Sequence, residues 1–166
     1  MIEVHPRLFV GTQVEYESRV RQESGWAIVQ ACKEPYHRDA VGYTTPMPLK
    51  GHPEYFIARR DSRLCLNLLD APDPAEIPAE VMDAAVAFIH ECLMAGGRVF
   101  LHCQMGMSRS PSIAMLYLGT HTDRLPADSF DAALAKFSDI YPPFSPRLGV
   151  LGFLRDRWAS RGEGLG

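Results

Sequence analysis

Val99-Phe100-Leu101-His102-Cys103-Gln104-Met105-Gly106-Met107-Ser108-Arg109-Ser110-Pro111 is the stretch on which the reading of the whole chain turns. An apolar run ends in His102-Cys103. Five residues follow, with Gly106 among them, and Arg109-Ser110-Pro111 then opens an apolar segment at helical spacing. The pattern is strand, tight loop, helix start. A loop that opens a helix turns several backbone N–H groups into one concavity, and the helix dipole adds positive potential there. A phosphate dianion fits such a nest. Arg109 closes the loop with a planar fork that can hold two phosphoryl oxygens. Cys103 stands at the entrance, in a field that favours thiolate over thiol. Together they describe a nucleophile aimed at a bound phosphorus. Gly106 lets the backbone turn tightly, while Gln104, Met105, Met107 and Ser108 supply N–H groups.

The flanking sequence supplies a frame. Arg98–His102 is nearly all apolar, as a strand covered on both faces should be. Before it, Val81, Ala85, Phe88, Ile89 and Cys92 repeat at helical spacing after Pro78, and Gly96-Gly97 stops that helix. Earlier still, Leu64–Leu69 is an apolar run that gives way to Asp70-Ala71-Pro72-Asp73-Pro74, a loop by composition. Toward the N-terminus, Arg7–Val10 and Trp26–Ala31 predict strands, and Val14–Gln22 predicts a helix ended near Gly25. Residues Cys32–Arg63 predict a long irregular region. Lys33, His37 and Arg38 are its chemically loaded part. They read either as a surface loop tied down by its aromatics or as cations at the rim of an anion site.

C-terminal to the loop, Pro111–Leu118 is an apolar helix. Pro126–Ile140 is an amphipathic one, carrying Phe130, Ala133, Leu134 and Phe137. Ser145-Pro146 predicts a cap and first turn of a last helix lined by Leu148, Leu151, Leu154 and Trp158. The expected fold is α/β in a single domain over residues 1–160. It has a mostly parallel central sheet of about four to five strands and helices on both faces. Residues 161–166 form a Gly-rich, flexible tail.

With 166 residues the chain can bury one real core. A net charge of −3 gives no support for binding nucleic acid. No apolar run approaches the length of a membrane span, and no signal peptide is evident at the N-terminus. Cys32, Cys65, Cys92 and Cys103 show neither close pairing nor metal-ligand spacing, so no metal or other cofactor is expected. They suit a reducing, cytoplasmic setting. Whether Cys65 or Cys92 comes near Cys103 stays open.

His102-Cys103, five residues, then Arg109-Ser110 resembles the signature loop of the cysteine-dependent protein tyrosine phosphatase superfamily. The Ser108-Arg109-Ser110 ending and the short chain resemble its dual-specificity branch, with the likeness dense from about Leu66 to Tyr117. The resemblance implies a two-step reaction through a cysteinyl-phosphate. Cys103 attacks, Arg109 and the loop amides hold the oxygens, and Ser110 donates to the sulfur and helps it leave. It also implies an Asp general acid about thirty residues before the Cys. Asp70 lies 33 positions before Cys103 and Asp73 lies 30 before it, with Pro72 between them. Asp70 is preferred, because it ends an apolar strand and is positioned by the sheet. His102 is expected behind the loop with its ring bonded to backbone. Relatives often carry an Asn, then Phe and Gln-Leu, near the last helix. Here Pro143-Phe144-Ser145-Pro146-Arg147-Leu148 departs from that pattern.

Phosphoinositide phosphatases of this superfamily tend to carry lysines within the signature loop. The uncharged loop here points to a singly phosphorylated group. The expected function is a protein phosphatase for phosphotyrosine, with phosphoserine/threonine as a further class, whose partner is a phosphorylated protein or peptide. Two alternatives stand beside it: a phosphatase for a lipid, RNA 5′-end or metabolite, and a phosphate-binding module without turnover.

Overall fold

A hairpin opens the chain, with β1 (Ile2–His5) antiparallel to β2 (Leu8–Gly11). The structure, a computed structural model, describes residues 1–162. The elements that follow are α1 (Gln13–Ser18), β3 (Trp26–Gln30), α2 (Arg38–Val41), β4 (Ile57–Arg60) and β5 (Arg63–Leu66). After them come α3 (Ala79–Met94), β6 (Arg98–His102), α4 (Arg109–His121), α5 (Phe130–Ile140) and α6 (Leu148–Gly162). The six strands form one sheet in the order β1-β2-β6-β3-β5-β4. The inner pairs β2–β6, β6–β3 and β3–β5 are parallel, and both edge pairs are antiparallel.

The α/β class stands, but the sheet is mixed and has six strands rather than about four to five. The two unforeseen strands, β1 and β4, are edges. Each buries one residue of four, Val4 or Ala58, so neither shows the apolar run that marks a covered strand. The region Cys32–Arg63 is correspondingly more ordered than expected. It holds a helical turn at Lys33–His37, then α2, then β4.

Side chains alternate across β6. Phe100 and His102 share one face, 5.7 Å apart. There Tyr16 of α1 stacks on His102 at 4.7 Å and Tyr36 meets its edge at 5.1 Å. α3 and α4 cover the other face, and α5 and α6 pack outside them. Val81, Ala85, Phe88 and Ile89 of α3 are buried, as their spacing predicts. α4 is buried continuously from Arg109 to Leu118.

Three helix limits differ from expectation. Val14–Gln22 breaks after α1 into a short turn at Val20–Gln22. α5 starts at Phe130 because the Ser129 hydroxyl caps it, accepting from the Ala132 N–H at 3.2 Å. α6 starts at Leu148, so Ser145-Pro146 is not its first turn, and Leu148 is 80 % exposed. Of the tail expected over 161–166, α6 reaches Gly162 and residues 163–166 lie outside the described residues.

Candidate active site

β6 delivers the loop. The Ala31 N–H donates to the His102 carbonyl at 2.7 Å, so the strand's last residue is still tied to the sheet. Beyond it the chain folds back through Gly106, at φ +67°. Any side chain there would meet the Gly11 carbonyl oxygen at 2.7 Å, so close approach as well as the left-handed backbone requires glycine. The loop's carbonyls are taken from outside. The Gln13 N–H donates to Gln104 O at 3.1 Å, the Tyr141 hydroxyl to Gly106 O at 2.8 Å and the Ser145 N–H to Met107 O at 2.8 Å. Among the described residues, none of the amides of 104–108 donates to a backbone carbonyl. With carbonyls drawn outward and amides unspent, the loop is an anion nest at the N-terminus of the 13-residue α4.

The Ser110 hydroxyl donates to Cys103 Sγ at 3.2 Å. Arg109 is 7 % exposed. Its Nη1 donates to Leu68 O at 3.0 Å and its Nη2 to Gln104 Oε1 at 3.1 Å, while Nε is buried with no partner among the described residues. A buried guanidinium with an unused donor is costly unless an anion completes it. Cys103, Gln104, Ser108, Arg109 and Asp70 line one cavity of about 520 Å³, with Met105 and Met107 at its edge.

The two acid candidates part company. Asp70 lines that cavity and accepts from the Ser108 hydroxyl at 2.7 Å, and Arg147 Nε lies 3.6 Å from its other oxygen. The Asp73 carboxylate accepts instead from the Ala75 N–H at 2.9 Å, as the cap of a short turn at Pro74–Glu76. The loop between them lies flat on α6. A side chain at Gly149 would strike the Ala71 carbonyl and come within 2.8 Å of Asp73 N.

His102 lies behind the loop, its Nδ1 3.2 Å from Cys103 O. Burial holds its pKa down at about 4, so the ring is neutral at physiological pH and, protonated on Nδ1, donates to that carbonyl. In the 33–47 segment Lys33 lines the cavity, where its Nζ donates to Pro46 O at 2.7 Å and lies 3.4 Å from Glu34. His37 and Arg38 do not line it. His37 is buried between Tyr43 and Glu54 O, and Arg38 forks onto the Glu34 carboxylate. The rim reading therefore applies to Lys33 alone.

Cys65 donates to Gln30 at 3.1 Å and Cys92 lies on α3. The unanticipated thiol is Cys32, pushed up to about 12 chiefly by burial; Arg109 pulls against that shift and Cys103 adds to it.

Several contributors carried little sequence signal. Ser108 was expected to act only through its amide, yet its hydroxyl binds Asp70 and accepts from the Arg147 N–H at 3.1 Å. Tyr141 simply ends an amphipathic helix. The start of α1 had a signal that the reading of Val14–Gln22 did not use: Thr12-Gln13-Val14-Glu15 is a capping box, with the Thr12 hydroxyl on the Glu15 N–H and the Glu15 carboxylate on the Thr12 N–H.

The sequence profile of the family described as "Dual specificity phosphatase, catalytic domain" matches residues 49–153, more than half of the chain. The chain belongs to that family. Its dual-specificity relatives include a probable rhodanese domain-containing dual specificity protein phosphatase of Dictyostelium discoideum, 32 % identical over 91 residues. Human dual specificity protein phosphatase 1 is 45 % identical over 62 residues. These matches cover 55 % and 37 % of this chain but only 17 % of either relative. The crystal structure of human DUSP28 superposes over 100 % of both chains with a TM-score of 0.65 at 20 % identity, a likeness of fold.

Proposed function

We propose that residues 1–160 form a protein phosphatase unit that hydrolyses phosphotyrosine, and phosphoserine/threonine, through a cysteinyl-phosphate on Cys103, in a reducing, cytoplasmic compartment. The observation that carries this reading is one cavity lined by Cys103 and Arg109 at a loop whose amides are unspent, with the Ser110 hydroxyl 3.2 Å from Cys103 Sγ and Arg109 Nε buried without a partner among the described residues.

In the first step the Cys103 thiolate attacks phosphorus. The S–P bond forms as the bond to the leaving oxygen breaks, and Asp70 gives that oxygen its proton. The loop amides and Arg109 bear the charge on the equatorial oxygens. In the second step water attacks phosphorus, Asp70 takes the water's proton, and Cys103 leaves as thiolate with the Ser110 hydroxyl on its sulfur. Asp70 is assigned over Asp73 because it shares the cavity with Cys103, whereas Asp73 caps a turn. A lipid or polyphosphorylated metabolite would call on rim cations, but Lys33 and Arg147 are held by Glu34 and Asp70. That favours a singly phosphorylated protein substrate.

Hydrolysis of a small aryl phosphate in EDTA tests the reading. The parent turns over and is inhibited by vanadate, Cys103→Ser is inactive, Asp70→Ala loses the alkaline limb of the pH profile, where a proton donor is titrated away, and Asp73→Ala keeps it. A parent that binds vanadate without turnover is a phosphate-binding module instead.

A further inference from the structure

Beside the catalytic cavity lies a shallower depression. Gln13, Val14, Glu17 and Ser18 of α1 line one side of it, and Gln104 and Met105 of the loop the other. Gln104 and Met105 line the catalytic cavity as well, so the two hollows adjoin at these residues. The shelf is apolar. Val14 is 72 % exposed and Met105 70 % exposed. Neither side chain is needed by the fold: the capping box holds α1 through Thr12 and Glu15, and Tyr16 is the helix's buried residue. The one charge in the lining, Glu17, is taken up by the Tyr36 hydroxyl at 2.8 Å and Arg21 Nη1 at 2.6 Å.

We propose that this shelf is a specificity subsite for a large apolar side chain next to the phosphorylated residue of a protein substrate. The inference rests on the phosphatase reading and adds the substrate's sequence context to it. Met105 belongs to both surfaces: its backbone lies among the loop amides that receive phosphate, and its side chain lies on the shelf. A peptide whose phosphoryl group enters the cradle must cross the rim, and successive Cα atoms are only about 3.8 Å apart. A neighbouring side chain therefore comes down beside Met105. On the Arg147 side that neighbour meets the Asp70 ion pair, and the apolar groups there, Leu69 and Met107, are less exposed, at 47 % and 40 %, than Val14 and Met105. On the α1 side it covers Val14 and the Met105 thioether, an unbranched side chain that adapts to differently shaped partners. A second copy of the chain is a poor occupant, because six lining residues fall well short of the roughly 20–30 a side of a stable dimer.

The test is binding of fluorescent phosphotyrosine peptides to Cys103→Ser, which holds substrate without turning it over. The peptides carry Leu, Ser or Glu before, after, or on both sides of the phosphotyrosine, with unphosphorylated copies as controls. The Leu peptide is expected to bind about tenfold tighter than the Ser peptide, about 1.4 kcal/mol, with the Glu peptide weakest. Adding Val14→Ser, an exposed substitution, should bring the Leu/Ser ratio below about two. The parent's kcat/KM on the same peptides gives the ratio by a second route.

Equal affinity for Leu and Ser peptides, or a preference that survives Val14→Ser, overturns the shelf, as does failure of every phosphopeptide to bind. So does a Val14→Ser change in sedimentation without any peptide preference, which would give this face to a second copy. The phosphatase reading fails separately: a parent inert on aryl phosphate whose Cys103→Ser form still prefers the Leu peptide keeps the shelf and loses the turnover.

Discussion

Two loops meet in the cavity, and they are built differently. The loop of residues 103–109 carries its proposed chemistry within one contiguous stretch: the thiol, amides and guanidinium follow one another from the end of β6 to the start of α4. The segment of residues 69–74 carries one carboxylate in the cavity, the proposed acid Asp70, and almost nothing that holds it there. Asp70 is placed by groups remote in sequence, the Ser108 hydroxyl and Arg147, and by Gly149 beneath the neighbouring backbone. A contiguous site is specified by its own spacing. A site assembled across the fold depends on residues whose types look ordinary.

The contrast can be broken at its weaker side first. Asp70→Asn removes the proton donor but leaves the cradle intact. We expect a loss of about 10²- to 10⁴-fold in kcat for an alkyl phosphate, whose leaving group needs a proton, and a much smaller loss for a nitrophenyl ester. Equal losses on both esters would place the defect in the cradle instead.

On the cradle's side the next effect is one of stability. Burial depresses the His102 pKa from 6.5 to about 4. The unfolded chain then binds the extra proton between those values, so this contribution is fully present above pH 6.5 and is lost as pH falls toward 4. The depression corresponds to about 3 kcal/mol. Denaturant unfolding at pH 7 and pH 4.5 should show a smaller drop for His102→Gln than for the parent. Parallel drops would remove His102 as the cause.

Gly149→Ala comes third. The added methyl has no room against Ala71 and Asp73, so the acid segment shifts. Misplacing Asp70 should cost about 10- to 100-fold on the alkyl phosphate with vanadate affinity retained. A fall in vanadate affinity to match would show that the two loops move as one. The smallest change is expected of Gln104→Ala. It frees Arg109 Nη2 from its side-chain partner and should raise KM and the vanadate inhibition constant by about three- to tenfold, with kcat nearly kept.

The same contrast explains what the sequence disclosed. The strand-loop-helix unit was readable from residues 99–111 because β6 is covered on both faces and its loop is local. The buried faces of α3 and α4 followed from apolar spacing. The edge strands β1 and β4 escaped because an edge buries too little to leave a pattern. Spacing alone left Asp70 and Asp73 open, and the preference for Asp70 rested on a strand end, but β5 stops at Leu66; the fold shows Asp70 in the cavity from a loop and Asp73 on a turn's amide. Ser145-Pro146 has the composition of a helix start. Its backbone is used instead to hold Met107, because the Ser145 N–H sits against the loop before α6 begins. In this segment, which departs from the Asn-containing pattern of the resemblance, two backbone donors reach the loop, from Ser145 to Met107 O and from Arg147 to Ser108 Oγ.

The most direct test of the central claim is to catch the intermediate. The parent is mixed with excess aryl phosphate, quenched in acid within the first turnovers, digested and read by mass spectrometry. A covalent phosphoryl group on the peptide bearing Cys103, absent from Cys103→Ser, is the predicted result. Turnover with no phosphoryl group on Cys103 at any quench time, or with one on another residue, would contradict the account.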